Sequence, residues 1–292
     1  AGLSTTQVAN LASDDLQALT TAQVRGFSTA GMAAFSTSGI QNLTSAQVGA
    51  LTTAQVAAIS TANVAVMETT DLNALSSAQV RALSTAQVDA LTTDQLAALG
   101  TSQVAAFSTT QLQALSTGDL NTLSTSQFQA LTTAQIAGLS TTQVANLASD
   151  DFQALTTTQV RAFTTAQVAA LTTDEAVNLT TAQAAALTTA QVAAISTANV
   201  AVMETADLNA LSSAQIRAFS TAQVDALTTT QLGALGTSQV AAFSTTQLQA
   251  LSTDDLNTFT TTQFQALTTA QIAGLSTTQV ANLASDDLQA LT

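Results

Sequence analysis

The side chains in this chain that are best suited to chemistry are pairs of adjacent aspartates. The pairs are Asp14–Asp15, Asp150–Asp151, Asp254–Asp255 and Asp286–Asp287. Carboxylate oxygens are the ligands that Ca²⁺ prefers, so each pair is a candidate calcium site. The pairs lack the alternating Asp/Asn and Gly pattern of a calcium loop. Because acids in the first turn of a helix also complement the helix dipole, we favour that interpretation.

Catalysis by a hydroxyl nucleophile has little support in the sequence. Ser and Thr are abundant, but an activated hydroxyl needs a base beside it. The chain has no His, and its four basic residues are all Arg. Carboxylate pairs remain as acid–base candidates, yet near-identical repeats give no unique pocket. We therefore predict that the chain is not an enzyme and needs no cofactor.

Two further residue types are candidates for surface recognition. Adjacent Ser and Thr residues recur along the chain and would form a hydroxyl array that binds ice, a glycan or a mineral. Alternatively, one hydroxyl caps a helix and the other is solvated. The Arg residues either pair with acids on neighbouring elements or are ordinary surface residues; they are Arg25, Arg81, Arg161 and Arg217.

These residues are positioned by a period of eight. From Leu3 onward every eighth residue is Leu, Phe, Ile or Met. From Thr5 onward every eighth residue is Ser or Thr, without exception. From Val8 every eighth residue is large and apolar except Ala176 and Ala184, and from Gln7 it is usually Gln. The chain is thus a succession of octads, each with two apolar positions, a Ser/Thr pair and a Gln.

One octad contains a complete signal for the start of a helix. In the first octad, Ser4 and Gln7 have the spacing of a capping box, in which each side chain bonds the other residue's main-chain N–H. Leu3 and Val8 have the spacing of the accompanying hydrophobic staple. Because the next octad repeats the signal, each helix has only about six residues before it must end.

Continuous structures fit the period poorly. Eight residues overshoot two turns of an unbroken helix by roughly 80°, so its apolar stripe would wind around the helix. Coiled coils accommodate about 3.5 to 3.67 residues per turn, whereas an octad needs about 4.0. A β-solenoid suits the even period, but Ala and Gln are poor strand residues. We predict an all-α solenoid of very short capped helices, one per octad, with the β-solenoid as the alternative.

Three octads lack a Ser or Thr at the cap position, as do their counterparts later in the chain. The cap position there is occupied by Ala12, Glu68 and Gly100. We expect Ser13, Thr69 or Thr101 to take over the cap, or the bend to differ locally.

A longer period of 136 residues, or 17 octads, is superimposed on the octad. The string AGLSTTQVANLASDD begins at Ala1, Ala137 and Ala273. We therefore divide the chain into modules 1–136 and 137–272 and the start of a third, 273–292, within one continuous solenoid. Because the sequence begins and stops within a repeat, we expect it to be a segment of a longer protein.

Composition narrows the function. The net charge of −14 argues against nucleic acid, whose phosphates need clustered Lys and Arg. No run of about 18 apolar residues is present, so we expect no membrane insertion.

The octad L-[ST]-T-x-Q-[VIL]-x-[AN] resembles repeats of very large bacterial surface or secreted proteins of the adhesin-like class. The resemblance implies an extracellular or cell-surface, elongated, structural or adhesive role. We therefore predict a filament, stalk or spacer, and stacking of identical surfaces on neighbouring chains predicts self-association. The alternative is a binding module with a repetitive Thr/Gln surface.

Overall fold

The computed structural model describes residues 3–291. Regular structure in this range is entirely helical, with one short helix per octad and no strand. The predicted all-α solenoid is confirmed, and the β-solenoid alternative is wrong. None of the described helices is long and apolar enough to cross a membrane.

The chain forms two compact units, Ala1–Ala154 and Leu155–Thr292. The helices of the first unit are α1 Thr5–Ala9, α2 Ser13–Ala18, α3 Thr21–Arg25, α4 Thr29–Ala33, α5 Thr37–Gln41, α6 Ser45–Ala50, α7 Thr53–Ala57, α8 Thr61–Val66, α9 Thr69–Asn73, α10 Ser77–Ala82, α11 Thr85–Asp89, α12 Thr93–Ala98, α13 Thr101–Val104, α14 Thr109–Ala114, α15 Thr117–Leu120, α16 Thr125–Ala130, α17 Thr133–Gly138, α18 Thr141–Val144 and α19 Ser149–Ala154. Those of the second are α20 Thr157–Ala162, α21 Thr165–Ala169, α22 Thr173–Val177, α23 Thr181–Ala186, α24 Thr189–Ala194, α25 Thr197–Val202, α26 Thr205–Ala210, α27 Ser213–Ala218, α28 Thr221–Asp225, α29 Thr229–Ala234, α30 Thr237–Val240, α31 Thr245–Ala250, α32 Thr253–Leu256, α33 Thr261–Ala266, α34 Thr269–Ala273, α35 Thr277–Ala281 and α36 Ser285–Ala290.

Most helices start as the capping box predicts. Helices α4, α5, α8 and α25 have only the Ser cap, and α2, α9, α13, α26, α30 and α36 have no side-chain cap bond. At α11 the cap residue Ser84 is extended, with φ −70° and ψ 160°. The Ser84 hydroxyl accepts from Gln87 N–H at 3.2 Å, and Gln87 Oε1 accepts from Ser84 N–H at 2.7 Å. The preceding residue, Leu83, is also non-helical, with φ −59° and ψ 138°. These two non-helical residues turn the chain, and the new cap then restarts the helix.

In each unit the short helices wind into coils that stack on one another. Helices three apart in the chain pack together, as α11 packs on α14 and α28 on α31. The two apolar positions of each octad fill the coil, and Val88 and Leu91 are 0% and 5% exposed. An isolated helix of this length is unstable in water, so this burial between coils is what holds each helix. Stability therefore comes from contacts between coils, as in other solenoids.

Small residues late in many octads let coils approach closely, and three positions require glycine. A Cβ atom on Gly49 would lie 2.9 Å from the Ala74 carbonyl oxygen of the next coil. A Cβ atom on Gly138 would lie 2.6 Å from Thr109 Cγ2 in the neighbouring coil. At the equivalent Gly274 the distance to Thr245 Cγ2 would be 2.8 Å. By contrast, a Cβ on Gly118 would meet only Ser116 Oγ, at 3.6 Å. Gly49, Gly138 and Gly274 are therefore set by packing between coils.

Candidate functional site

The most distinctive chemical feature is a column of buried side chains, which we call the Gln column. It consists of Gln7 and every eighth residue after it. Gln7, Asp15 and Gln23 are exposed, Gly31 and Gly39 have no side chain, and from Gln47 onward most members are buried. A typical member, Gln87, is only 2% exposed. Its Nε2 donates to the carbonyls of Val56 and Ile59, at 2.9 and 2.7 Å. These carbonyls lie 31 and 28 residues earlier, and other bonds between coils span 25 to 27 residues, so one coil takes between three and four octads, about three and a half.

The same pair of amide bonds recurs in both units. Members whose Nε2 donates to carbonyls 28 and 31 residues earlier are Gln47, Gln55, Gln79, Gln87, Gln95, Gln103, Gln111, Gln127, Gln135, Gln143, Gln191, Gln215, Gln223, Gln231, Gln239, Gln247, Gln263, Gln271 and Gln279. Each Gln therefore caps its own helix through oxygen and joins the preceding coil through nitrogen.

Sequence reasoning assigned to Gln only its capping role. A capping box accepts Glu as readily as Gln at this position. The amide accepts through one atom and donates through the other, which an ionised carboxylate cannot do. The strong preference for Gln over Glu was therefore the signal for the second role. The burial of the column also removes Gln from the proposed Thr/Gln surface, so that part of the prediction is wrong.

Where Asn replaces Gln, one of the two bonds to the preceding coil remains. Asn63 Nδ2 donates to the carbonyl of Phe35, and Asn199 Nδ2 to that of Leu171, both at 2.8 Å and 28 residues earlier. The side chain is one methylene shorter, and one carbonyl is within its reach.

Where Asp replaces Gln, the ionised side chain has no hydrogen to donate. Asp71 Oδ1 accepts from the Ser45 hydroxyl at 2.6 Å, and Asp207 Oδ1 accepts from the Thr181 hydroxyl at 2.9 Å. Burial raises the pKa of both carboxyl groups above the ordinary value. The hydroxyl bond lowers each pKa in part, and the nearby Glu68 or Glu204 raises it again.

Three carboxylate oxygens in this column are buried without a hydrogen-bond partner. They are Glu175 Oε1, Asp207 Oδ2 and Asp287 Oδ2. Such groups are costly, because a buried charge without compensation loses its hydration. Burial also raises the pKa of Glu175 and Asp287. The carboxyl groups whose pKa is raised by burial therefore lie in the Gln column.

The paired aspartates predicted as calcium candidates occupy different environments. Five of these aspartates are exposed in the first turns of their helices, where they complement the helix dipole: Asp14, Asp15, Asp150, Asp254 and Asp286. Asp255 Oδ2 instead accepts from the main-chain N–H and hydroxyl of Ser252, at 3.1 and 2.6 Å.

Asp151 is the member of these pairs whose ionisation is most perturbed. It lies in the Gln column and is 4% exposed. Burial, with a smaller effect of Asp150, raises its pKa to about 6. Across residues 3–291 no three acidic side chains come together in a group that could hold a metal ion.

The three exceptional caps differ from the prediction. Ala12, Glu68 and Gly100 themselves occupy the cap position, and the helices begin at Ser13, Thr69 and Thr101 as in any other octad. The bend is unchanged, since φ and ψ stay near those of a Ser cap: −71° and 156° at Ala12. The expected takeover of the cap is therefore wrong.

At Ala148, the counterpart of Ala12, a residue from the preceding coil supplies what the octad lacks. Asn121 Oδ1 accepts from Ala148 N–H at 3.2 Å, and Asn121 Nδ2 donates to the Asn146 carbonyl at 2.8 Å. Asn257 makes the same two bonds to Ala284 and Asn282, each at 3.1 Å. The cap residue's N–H, which the Gln of an ordinary octad bonds, is thus bonded by a side chain from another coil.

Two of the surface arginines also bond a neighbouring coil. Arg81 Nε and Arg217 Nε each donate to a main-chain carbonyl 25 residues later, those of Ala106 and Ala242, at 3.3 Å. These two arginines therefore bond the next coil through its main chain. The Ser and Thr residues that open the helices are mostly exposed.

The fold and its amide column define a class of protein: an α-solenoid built from eight-residue repeats, with coils joined by buried glutamines. The sequence pattern of the ALTTAQ repeat matches residues 8–45, 29–61, 64–101, 116–149, 144–181, 200–237 and 233–269. These matches cover well over half of the chain, so the chain belongs to the ALTTAQ repeat family. A comparison with characterised proteins finds no significant match.

Proposed function

We propose that the protein is a non-catalytic structural element, a spacer, stalk or filament whose length is set by its number of octads. The observation that best supports this proposal is the Gln column. Each amide joins a coil only to the coil before it, so one set of contacts serves every added octad. A scaffold of this kind lengthens by duplication without new chemistry.

The near-identity of the two 136-residue modules supports this proposal. Duplicated modules present the same surfaces again, which suits a periodic scaffold better than a single active site. The resemblance of the octad to adhesin-like repeats supports a location outside the cell or at its surface.

Self-association follows from repetition of one surface, because copies of a repeated patch can join without closing a ring. Sedimentation velocity over a hundredfold range of protein concentration tests it, with electron microscopy of the same samples. Species that grow with concentration, and regular filaments, support a polymer. A single slow species at every concentration rejects the polymer and leaves the monomeric spacer.

A second candidate function rests on one observation. Every octad begins its helix with Ser or Thr, without exception in the sequence, and most of these side chains are exposed. Because a coil takes three and a half octads, successive hydroxyls face different directions rather than one plane. This arrangement suits a glycan that wraps the coil better than flat ice or mineral. Binding on a glycan array supports this candidate, and an array without binding rejects it.

A further inference from the structure

The Gln column contains a position, repeated once per module, at which a carboxyl group stands where an amide joins two coils. We propose that Asp207 and its equivalent Asp71 are protonated in the folded protein and donate a hydrogen bond to the preceding coil. A proton taken from solvent would then provide the hydrogen bond to the preceding coil that a Gln of the column provides with its amide hydrogen. The inference concerns how the coil is held and is independent of the proposed scaffold role.

Asparagine in the same column shows that the geometry permits this bond. Asn199 lies one octad before Asp207 and has a side chain of the same length. Its Nδ2 donates to the carbonyl 28 residues earlier, at 2.8 Å. The corresponding carbonyl for Asp207 is that of Leu179. A protonated Asp207 has a hydrogen to offer where Asn199 offers its own.

The partners of the Asp207 carboxyl assign the proton to one atom. Oδ1 already accepts from the Thr181 hydroxyl at 2.9 Å. Oδ2 is buried and has no hydrogen-bond partner, and the residue is 1% exposed. An ionised Oδ2 would be a buried charge without compensation, which is strongly unfavourable. An Oδ2–H group turns the same atom into a donor.

No cation on the packed helices offsets the charge of the ionised form. Helix α26, which contains Asp207, packs on α23 and α29, and neither contains a charged residue. The acid beside it on its own segment is Glu204, and the next helix along the chain, α27, contains Arg217. Burial and Glu204 both raise the pKa of Asp207.

The equivalent site has similar surroundings, although the buried oxygen without a partner is found at Asp207 and not at Asp71. Helix α9, with Asp71, packs on α6, which has no charged residue, and on α12, which contains only Asp94. Glu68 is the acid on its own segment, and Ser45 donates to Asp71 Oδ1. The two sites lie 136 residues apart, so the proposed proton recurs with the module.

The first test follows the carboxyl carbon of Asp207 by ¹³C NMR during a pH titration of the whole chain, with exposed Asp225 as the internal reference. We expect the Asp207 resonance to remain that of a neutral acid over a pH range in which an ordinary exposed carboxyl group is ionised. Coincident titration of the two residues would overturn the proposal.

The second test compares the urea midpoints of wild type, Asp207→Asn and the matched control Asp225→Asn at pH 4.5 and 7. An amide donates at every pH, so Asp207→Asn should reduce the fall in midpoint between pH 4.5 and 7, while Asp225→Asn should not. An unchanged fall in Asp207→Asn contradicts the proposal. A rise in the wild-type midpoint on adding Na⁺ or Ca²⁺ at pH 7, absent in Asp207→Asn, would assign the site to a cation instead.

Discussion

At the scale of single residues, glutamine is the side chain on which this architecture depends. Its oxygen closes the capping box, and its nitrogen satisfies two carbonyls of the coil 28 to 31 residues earlier. The first role could be predicted from the spacing of Ser and Gln. The second could not, because it depends on which residues lie opposite once the chain has coiled.

Removal of one such Gln should cost far more than removal of its exposed neighbour. Gln263→Ala withdraws an acceptor from Thr260 N–H and a donor from the carbonyls of Leu232 and Leu235. Unsatisfied buried groups cost about 1–3 kcal/mol each, so we expect a loss of about 3 kcal/mol in the free energy of unfolding. The control Gln265→Ala, exposed on the same helix α33, should change it by less than about 0.5 kcal/mol. Urea unfolding followed by circular dichroism measures both, and equal losses would refute the role of the column.

Asp151 should make the protein more stable in acid than at neutral pH. Its folded pKa of about 6 lies above the ordinary value, so the folded state holds a proton that the unfolded state releases. Stability is therefore highest below about pH 4, the unfolded pKa, and falls as the pH rises toward 6. Thermal unfolding at pH 4 and 7 should show a smaller difference in Asp151→Asn than in wild type.

The matched control for Asp151 is Asp94→Asn, an exposed first-turn acid on α12. It should keep the wild-type difference in melting temperature between the two pH values. If Asp151→Asn and Asp94→Asn reduce this difference equally, the general decrease of negative charge in acid explains the effect, and Asp151 has no special part in it.

At the scale of the helix, most octads bond the N–H of their own cap residue, and at Ala148 and Ala284 an Asn of the preceding coil makes this bond instead. The sequence shows that Ala148 cannot cap α19, but it does not show that Asn121 comes within 3.2 Å of its N–H. Local capping rules apply within one octad, whereas this contact spans 27 residues. The predicted takeover by the next Ser or Thr was wrong because α2, α9 and α13 begin at the same octad position as the other helices.

Asn121→Ala should therefore destabilise the first unit as the loss of a helix cap does, by about 1 kcal/mol. The additional change Ala148→Ser gives α19 its own cap and should recover part of the loss. Asn73→Ala is the control, because Asn73 is an exposed Asn at the same place in its octad. Calorimetric melting of the four proteins measures this, and a loss in Asn73→Ala as large as in Asn121→Ala would contradict the interpretation.

Two helical glycines should respond in opposite ways to alanine. Gly118→Ala meets no close atom, and should stabilise by about 0.5–1 kcal/mol through lower entropy of the unfolded chain. Gly138→Ala places a Cβ 2.6 Å from Thr109 Cγ2, so Thr109 or the coil must move, and we expect destabilisation of about 1–3 kcal/mol. Denaturation midpoints measure both. The double variant Gly138→Ala/Thr109→Ser removes Cγ2 and should relieve part of the clash, because Thr109 Cβ, at 2.9 Å, remains.

At the scale of each whole unit, the helical class and the one-helix-per-octad arrangement could be predicted, because both follow from signals within eight residues. The length of a coil could not. It depends on the small angles that Leu83, Ser84 and their equivalents add at every turn, and no side-chain pattern reports such angles. The three and a half octads per coil are visible only in which carbonyl each Gln reaches.

The Gln column also has a mechanical consequence. Its bonds connect each coil to the one before it, so a force that stretches a unit from its ends is carried by all the coils in series. Rupture of one coil frees about 28 residues, or roughly 90–100 Å of extended chain. The other coils keep their own amide bonds when one ruptures. Under tension such a unit would lengthen in steps of equal extension, one per coil, and would dissipate mechanical energy at each step.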